Sequence, residues 1–157
     1  MELALGSDRC HVLEDPWADH AIPVRFEHPA ESFGGIGARG PFDGIVAVGD
    51  GPALAAAFIA QHLGLRFSPP AAVAAAMNKF LARLKFREAK LLVPEFELLD
   101  CDDPHPESRN YPCVLKPVSL SASRGVIRVD NAEEFGRALR RIQKIVENES
   151  NQQIQVE

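Results

Sequence analysis

At 157 residues the chain can form one domain with a real core, or two small lobes sharing an interface. Its 46% hydrophobic and 25% charged residues are ordinary for a soluble globular protein, and no apolar run approaches the roughly 20 residues of a membrane span. A formal net charge of -5, with "RRIQK" the one basic stretch, argues against nucleic acid as the main partner.

The opening "MELALGSDRC" lacks a basic segment followed by an apolar core, so no secretory signal is visible and the cytoplasm is the default location. "ELAL" and "PVRF" are short strand candidates with "DRCHVLEDPWADH" between them. "DGIVAVGD" is a near-continuous apolar run, as expected for a strand buried on both faces. It leads into "GPALAAAFIAQHLG", a helix with Pro52 near its start and Gly64 just past its end, completing a βα unit of an α/β sheet. Composition shifts near Ser68, which places a boundary between residues 1–67 and 68–157. A short helix is expected from about Pro70, then a second one carrying Phe80, Leu84 and Phe86 and closed by Pro94. "EFELLD" reads as a strand and "CDDPHPESRN" as a polar loop, in which Asp102, Asp103 and Glu107 are solvated turn residues. In "NAEEFGRALRRIQKIV", Asn131 and Glu134 form a capping-box pattern, and Phe135, Leu139, Ile142 and Val146 recur on one face. "IQVE" begins a further alternating strand.

Several motifs fail on context. "GIGARG" spells G-x-G-x-x-G, but a polar stretch precedes it and the strand candidate follows, the reverse of a dinucleotide loop, so it reads as a glycine-rich connection. Cys10, His11, Asp15 and His20 fit no compact zinc spacing and are read as part of a polar crossover. The odd, dispersed cysteines Cys10, Cys101 and Cys113 do not suggest a disulfide framework, and Cys113 is expected as a small buried hydrophobe. Neither a G-x-x-x-x-G-K-[ST] loop nor a G-x-S-x-G elbow is present.

The informative stretch is "YPCVLKPVSLSASRGVIRV", Tyr111 to Val129. Two apolar runs flank "SLSASRG", a connection longer than the usual hairpin loop of about 2–5 residues. Pro117 biases Lys116 toward an extended backbone, so its ammonium projects from a strand end. Ser119, Ser121, Ser123 and Gly125 give the loop hydroxyl donors and close backbone approach, suited with the lysine to phosphate oxygens. A flexible surface hairpin with an exposed lysine would share these features, so the loop alone does not decide.

"YPCVLKPVSLSASRGVIRVDNAEEF" resembles the first hairpin of the ATP-grasp superfamily, which includes biotin carboxylase and the large chain of carbamoyl-phosphate synthase. "MNKFLARLKFREAKLLVPEF" resembles the family helix with an early lysine, and "DGIVAVGDGPALAAAFIAQHLGLRFSPP" the α/β domain preceding the grasp. The resemblance covers about Phe42 to Glu157. It implies a partial, Rossmann-like pre-ATP-grasp α/β domain followed by a small α+β lobe with an antiparallel hairpin. It implies nucleotide binding by Lys79, Lys116 and the flap residues Ser119, Ser121, Ser123, Arg124 and Gly125, with Glu157 opening the hinge at the adenine pocket. Its expected function is an ATP-dependent carboxylate ligase acting through an acyl phosphate, with ATP and an unidentified carboxylate as partners. The alternative is a non-catalytic nucleotide- or partner-binding module derived from such a lobe. A third reading, a nicotinamide-dependent enzyme using "GIGARG", is the weakest. Two departures stand out: Lys90 where the family usually has glycine, and a flap without glycine before Gly125. Set against the family pattern, the chain begins as if a first strand and helix were missing and stops at the hinge. The resemblance therefore implies a fragment inactive by itself, with the magnesium ligands outside it.

Overall fold

The computed structural model describes residues 2–8, 21–101 and 110–157; the Cys10/His11/Asp15/His20 group and Asp102, Asp103 and Glu107 lie outside the described residues. The chain divides into two compact units, residues 1–74 and 75–157.

In the first unit, β1 (Gly6–Ser7) pairs in parallel with β2 (Ile22–Pro23). A 3-10 turn, Pro29–Ser32, precedes α1 (Phe33–Gly37), and α2 spans Asp50–Leu63. "GIGARG" is thus the end of a short helix and the turn after it. Gly64 closes α2 in the left-handed conformation at φ 68°, the role expected of it. Ile22, Val24, Ile36 and Ile59 form a small core, with Phe33, Phe42 and Ile45 packed against it. The strand expected over "DGIVAVGD" differs: residues 44–48 join no ladder among the described residues, and Val46 and Val48 are 87% and 88% exposed. Burial on both faces requires neighbouring strands on a sheet wide enough to cover them. A parallel pair of two residues per strand does not provide one.

The expected helix pair appears as α3 (Pro70–Met77) and α4 (Lys79–Glu88), and the unit boundary falls within α3. Asn78 caps α4, its side chain accepting from the Leu81 N–H at 3.0 Å. The α4 C-terminus is a Schellman turn: Lys90 N–H donates to Arg87 and Leu91 N–H to Phe86, with Lys90 at φ 58°.

The second unit is built on a four-stranded antiparallel sheet of β3 (Glu97–Leu99), β4 (Cys113–Pro117), β5 (Ile127–Val129) and β6 (Ile154–Val156). "CVLK" and "VIRV" are antiparallel neighbours as expected, yet the order is β3-β6-β4-β5, so the last strand sits inside the sheet. Alternation sends Leu99, Cys113, Leu115, Val129, Ile154 and Val156 to one face. Helix α5 (Ala132–Val146) covers that face with Phe135, Ala138, Leu139, Ile142 and Val146, all buried. Each large apolar side chain buried here stabilises by about 1.5–3 kcal/mol. Asn131 accepts from the Glu134 N–H at 3.0 Å, and Glu134 reaches back to the Asp130 N–H at 2.9 Å, which fixes where the helix starts. Among the described residues no helix is long and apolar enough to cross a membrane.

Lys90 carries a Cβ where the backbone is left-handed, and glycine would not. Lys90→Gly should therefore raise unfolding stability by about 0.5–1 kcal/mol in denaturant titrations. A loss of stability would mean that the lysine side chain contributes more than its backbone conformation costs.

Candidate functional site

The sheet face opposite α5 carries Leu98, Val114, Lys116, Gln155 and Glu157. The register puts Lys116 directly across from Gln155, while Val114 and Glu157 exchange both backbone hydrogen bonds, at 2.7 and 3.0 Å. On this face the Lys116 ammonium pairs with Oε2 of Glu157. From α4, Arg83 Nε donates to Oε1 of the same carboxylate at 2.6 Å, and the Gln155 amide nitrogen donates to Oε1 as well. One carboxylate thus joins α4, β4 and β6. The Glu157 side chain is only 10% exposed. Burial by itself would push the Glu157 carboxyl up, but hydrogen bonds from Lys116 and Arg83, together with their charges, outweigh it and hold it below the ordinary glutamate value.

Lys79 occupies the first helical position of α4, the positive end of the helix, where a cation is disfavoured by about 0.3–1 kcal/mol. Its ammonium donates to the carbonyls of Pro117, at 3.0 Å, and Leu120. It therefore ties the start of α4 to the base of the 119–125 loop.

That loop has a fixed root and an exposed tip. Val118 and Leu120 are buried, Leu120 in the α5 core, and Ser119 Oγ donates to the Asn151 carbonyl at 3.1 Å. Ala122 and Ser123 are left-handed at φ 52° and 59°, and a turn closes through Arg124 N–H to Ser121 O at 3.1 Å. The Arg124 guanidinium pairs loosely with Glu149 at 3.4 Å on the surface. Gly125 has φ 71°, and a Cβ there would lie 2.8 Å from Pro117 Cγ, so this position requires glycine on both counts. Of the residues expected at the site, Lys116 and Glu157 are brought into contact and Lys79 joins the loop root. Ser119 and Gly125 shape that root, while Ser121, Ser123 and Arg124 lie on the exposed tip.

Arg83 and Gln155 were not anticipated. A signal for Arg83 existed: it follows Lys79 by four residues and so shares its helix face. Gln155 alternates with Glu157 along β6, but recognising its place required knowing that β6 lies beside β4.

Residues 109–156 match the ATP-grasp domain family (ATP-grasp_4). The chain is 33% identical over 144 residues to the ATP-grasp enzyme fsqD of Aspergillus fumigatus, covering 84% of this chain and 25% of that protein. Together these two matches support an ATP-grasp superfamily domain in this chain. It is also 38% identical over 68 residues to the vancomycin B-type resistance protein VanB of Enterococcus faecalis, covering 42% of this chain and 20% of that protein. Among solved structures, an L-amino acid ligase from Bacillus licheniformis superposes with a TM-score of 0.63 at 24% identity, covering 87% of this chain and 32% of the other. A D-alanine-D-alanine ligase from Helicobacter pylori gives 0.53 at 21% identity, covering 69% and 33%. These likenesses establish a shared fold. The chain spans a quarter or less of the length of the curated relatives it matches.

Because the folded pKa of Glu157 lies below its unfolded value, the stability it contributes is complete above the ordinary glutamate range. It is lost as acidification passes through the lowered value. Glu157→Gln should flatten that acid limb and cost roughly 1–3 kcal/mol at neutral pH, measured by denaturant unfolding across pH. An acid limb equal to that of the parent would show that the clamp does not contribute. Gly125→Ala should cost about 1–2 kcal/mol or more, since φ and contact both oppose a Cβ. A neutral result would mean that the loop root yields readily.

Proposed function

We propose that residues 75–157 form the nucleotide-binding lobe of an ATP-dependent ligase that activates a carboxylate as an acyl phosphate. The observation that supports this most is the placement of Lys79 and Lys116, within an ATP-grasp fold, at the β4 end of a polar loop, Lys116 on the strand and Lys79 on the loop-root carbonyls. The named activities of the structural relatives, L-amino acid ligase and D-alanine-D-alanine ligase, support the reaction class. In this reading a carboxylate oxygen of the substrate attacks the γ-phosphorus of ATP and ADP leaves. A nucleophile, usually an amine, then attacks the acyl carbon and expels inorganic phosphate. The transferring phosphoryl group offers little covalent chemistry for a protein to perform, so catalysis is mainly positioning and charge stabilisation. Lys116 exchanges Glu157 for phosphate oxygens, Lys79 adds a second cation at the loop root, and the hydroxyls and N–H groups of Ser121 and Ser123 close over the phosphates. Glu157 borders the adenine pocket.

Magnesium is the metal the family implies. Among the described residues no group of three or more His, Cys, Asp or Glu side chains is placed to hold one, and both Glu157 oxygens already accept from cations. The described residues do not fit the ion.

Lys116→Ala in the full-length gene product should weaken ATP binding by roughly 10–100-fold, as expected for losing a charged contact. Lys85, exposed and paired with Glu88 at 2.7 Å on the outer side of α4, provides the control, and Lys85→Ala should stay within about 2-fold. ATP should protect the 119–125 loop from proteolysis and NAD should not. Equal effects of the two substitutions in calorimetric titrations would overturn the assignment. So would protection by NAD but not ATP.

A further inference from the structure

Gln155 is fully buried, yet its side-chain carbonyl oxygen has no hydrogen-bond partner. Buried acceptors are nearly always satisfied, and leaving one open carries a desolvation cost. The amide cannot be turned to relieve it. Its NH2 end donates to Glu157 Oε1, and reversing it would set two oxygens against each other. The carbonyl therefore points away from Glu157, on the face that also carries Lys116 directly across the ladder. Leu98, the cross-strand partner on the other side, gives the amide one apolar neighbour on a face that otherwise carries charges.

The backbone of β6 offers little to a ligand at this position, because the strand is hydrogen-bonded to β3 on one side and β4 on the other. Recognition there falls to side chains. A single oriented acceptor beside Leu98, on the face that carries Lys116 and Glu157, matches the edge of a flat heterocycle that carries a donor.

We propose that Gln155 is a base-specificity residue whose Oε1 accepts from the exocyclic amino group of adenine, so that the site selects ATP over 6-oxopurine nucleotides. This inference rests on the nucleotide-binding reading of the lobe. The oxygen is buried while the side chains of Lys116 and Arg83 are gathered on Glu157. Binding in this way requires the face beside Gln155 to open, as it would if Lys116 left Glu157 for the phosphates. A 6-oxopurine would present a carbonyl to this carbonyl and leave both unpaired, whereas adenine supplies the missing proton. Gln155 takes no part in the chemistry of phosphoryl transfer, so its effect lies in which base is accepted.

The test is equilibrium titration of the full-length gene product with ATP, ITP and N6,N6-dimethyl-ATP, for the parent and for Gln155→Leu and Gln155→Met. The parent should prefer ATP over both analogues by about 10–100-fold, the range for a site that loses a required donor. In either variant ATP should fall to the level of ITP, while ITP itself changes within about 3-fold. A merely structural role would weaken all three nucleotides together and leave the ratios intact, and that result overturns the proposal while the nucleotide site stands. If neither variant folds, the parent decides, since equal binding of ATP and dimethyl-ATP overturns it as well. Failure of the parent to bind any of the three triphosphates would instead remove the nucleotide reading, and this inference with it.

Discussion

An ionised carboxylate taken largely out of water has to be met by donors, and in this lobe Glu157 imposes that constraint on everything around it. Its two oxygens draw Lys116 from β4, Arg83 from α4 and Gln155 from its own strand. None of these elements is adjacent in sequence. Their convergence depends on the chain returning after α5 to place its last strand between β3 and β4. The core beneath does the positioning: Ile154 and Val156 are locked against α5, and strict alternation then turns Gln155 and Glu157 to the opposite face. A slip of one residue in β6 would bury the carboxylate under α5 and expose two core side chains.

The loop after β4 is governed by a similar division. Leu120 inserts into the α5 core, Ser119 bonds to the Asn151 carbonyl, and Gly125 packs where no Cβ fits against Pro117. Lys79 joins from α4 through two loop-root carbonyls. The hydroxyl-bearing tip is outside this network and exposed. A loop anchored at both ends and polar at its tip can close on a ligand without disturbing the sheet, which suits the proposed flap.

Much of the fold was legible from sequence because its signals are local. The capping box at Asn131, the helical spacing of Phe135 to Val146, the glycine after α2 and the hairpin around Lys116 each depend on a few neighbouring residues. The strand expected at residues 44–48 failed because apolarity alone does not supply pairing partners, and the first unit's parallel pair is too small to recruit it. The Lys90 departure was readable in a different sense: a position where glycine is usual turned out to have φ 58°. Arg83 and Gln155 were missed for a topological reason. Their significance comes from β6 lying beside β4, which no local pattern encodes.

The clamp also explains how the proposed site can give up a lysine without a large penalty. Removing one partner of a buried ion pair is costly when the other is left alone. Here the two cations use different oxygens. Arg83 and Gln155 hold Oε1, and Lys116 holds Oε2. If Lys116 turns to a phosphate, Glu157 keeps a guanidinium and an amide donor and stays ionised. The chemistry of the two side chains fits that division: arginine is a rigid, permanently charged anchor, whereas lysine is a compact charge on a flexible stem. The arginine sits on α4 as the fixed member, and the lysine at the strand end, next to the flap, is the one free to exchange partners.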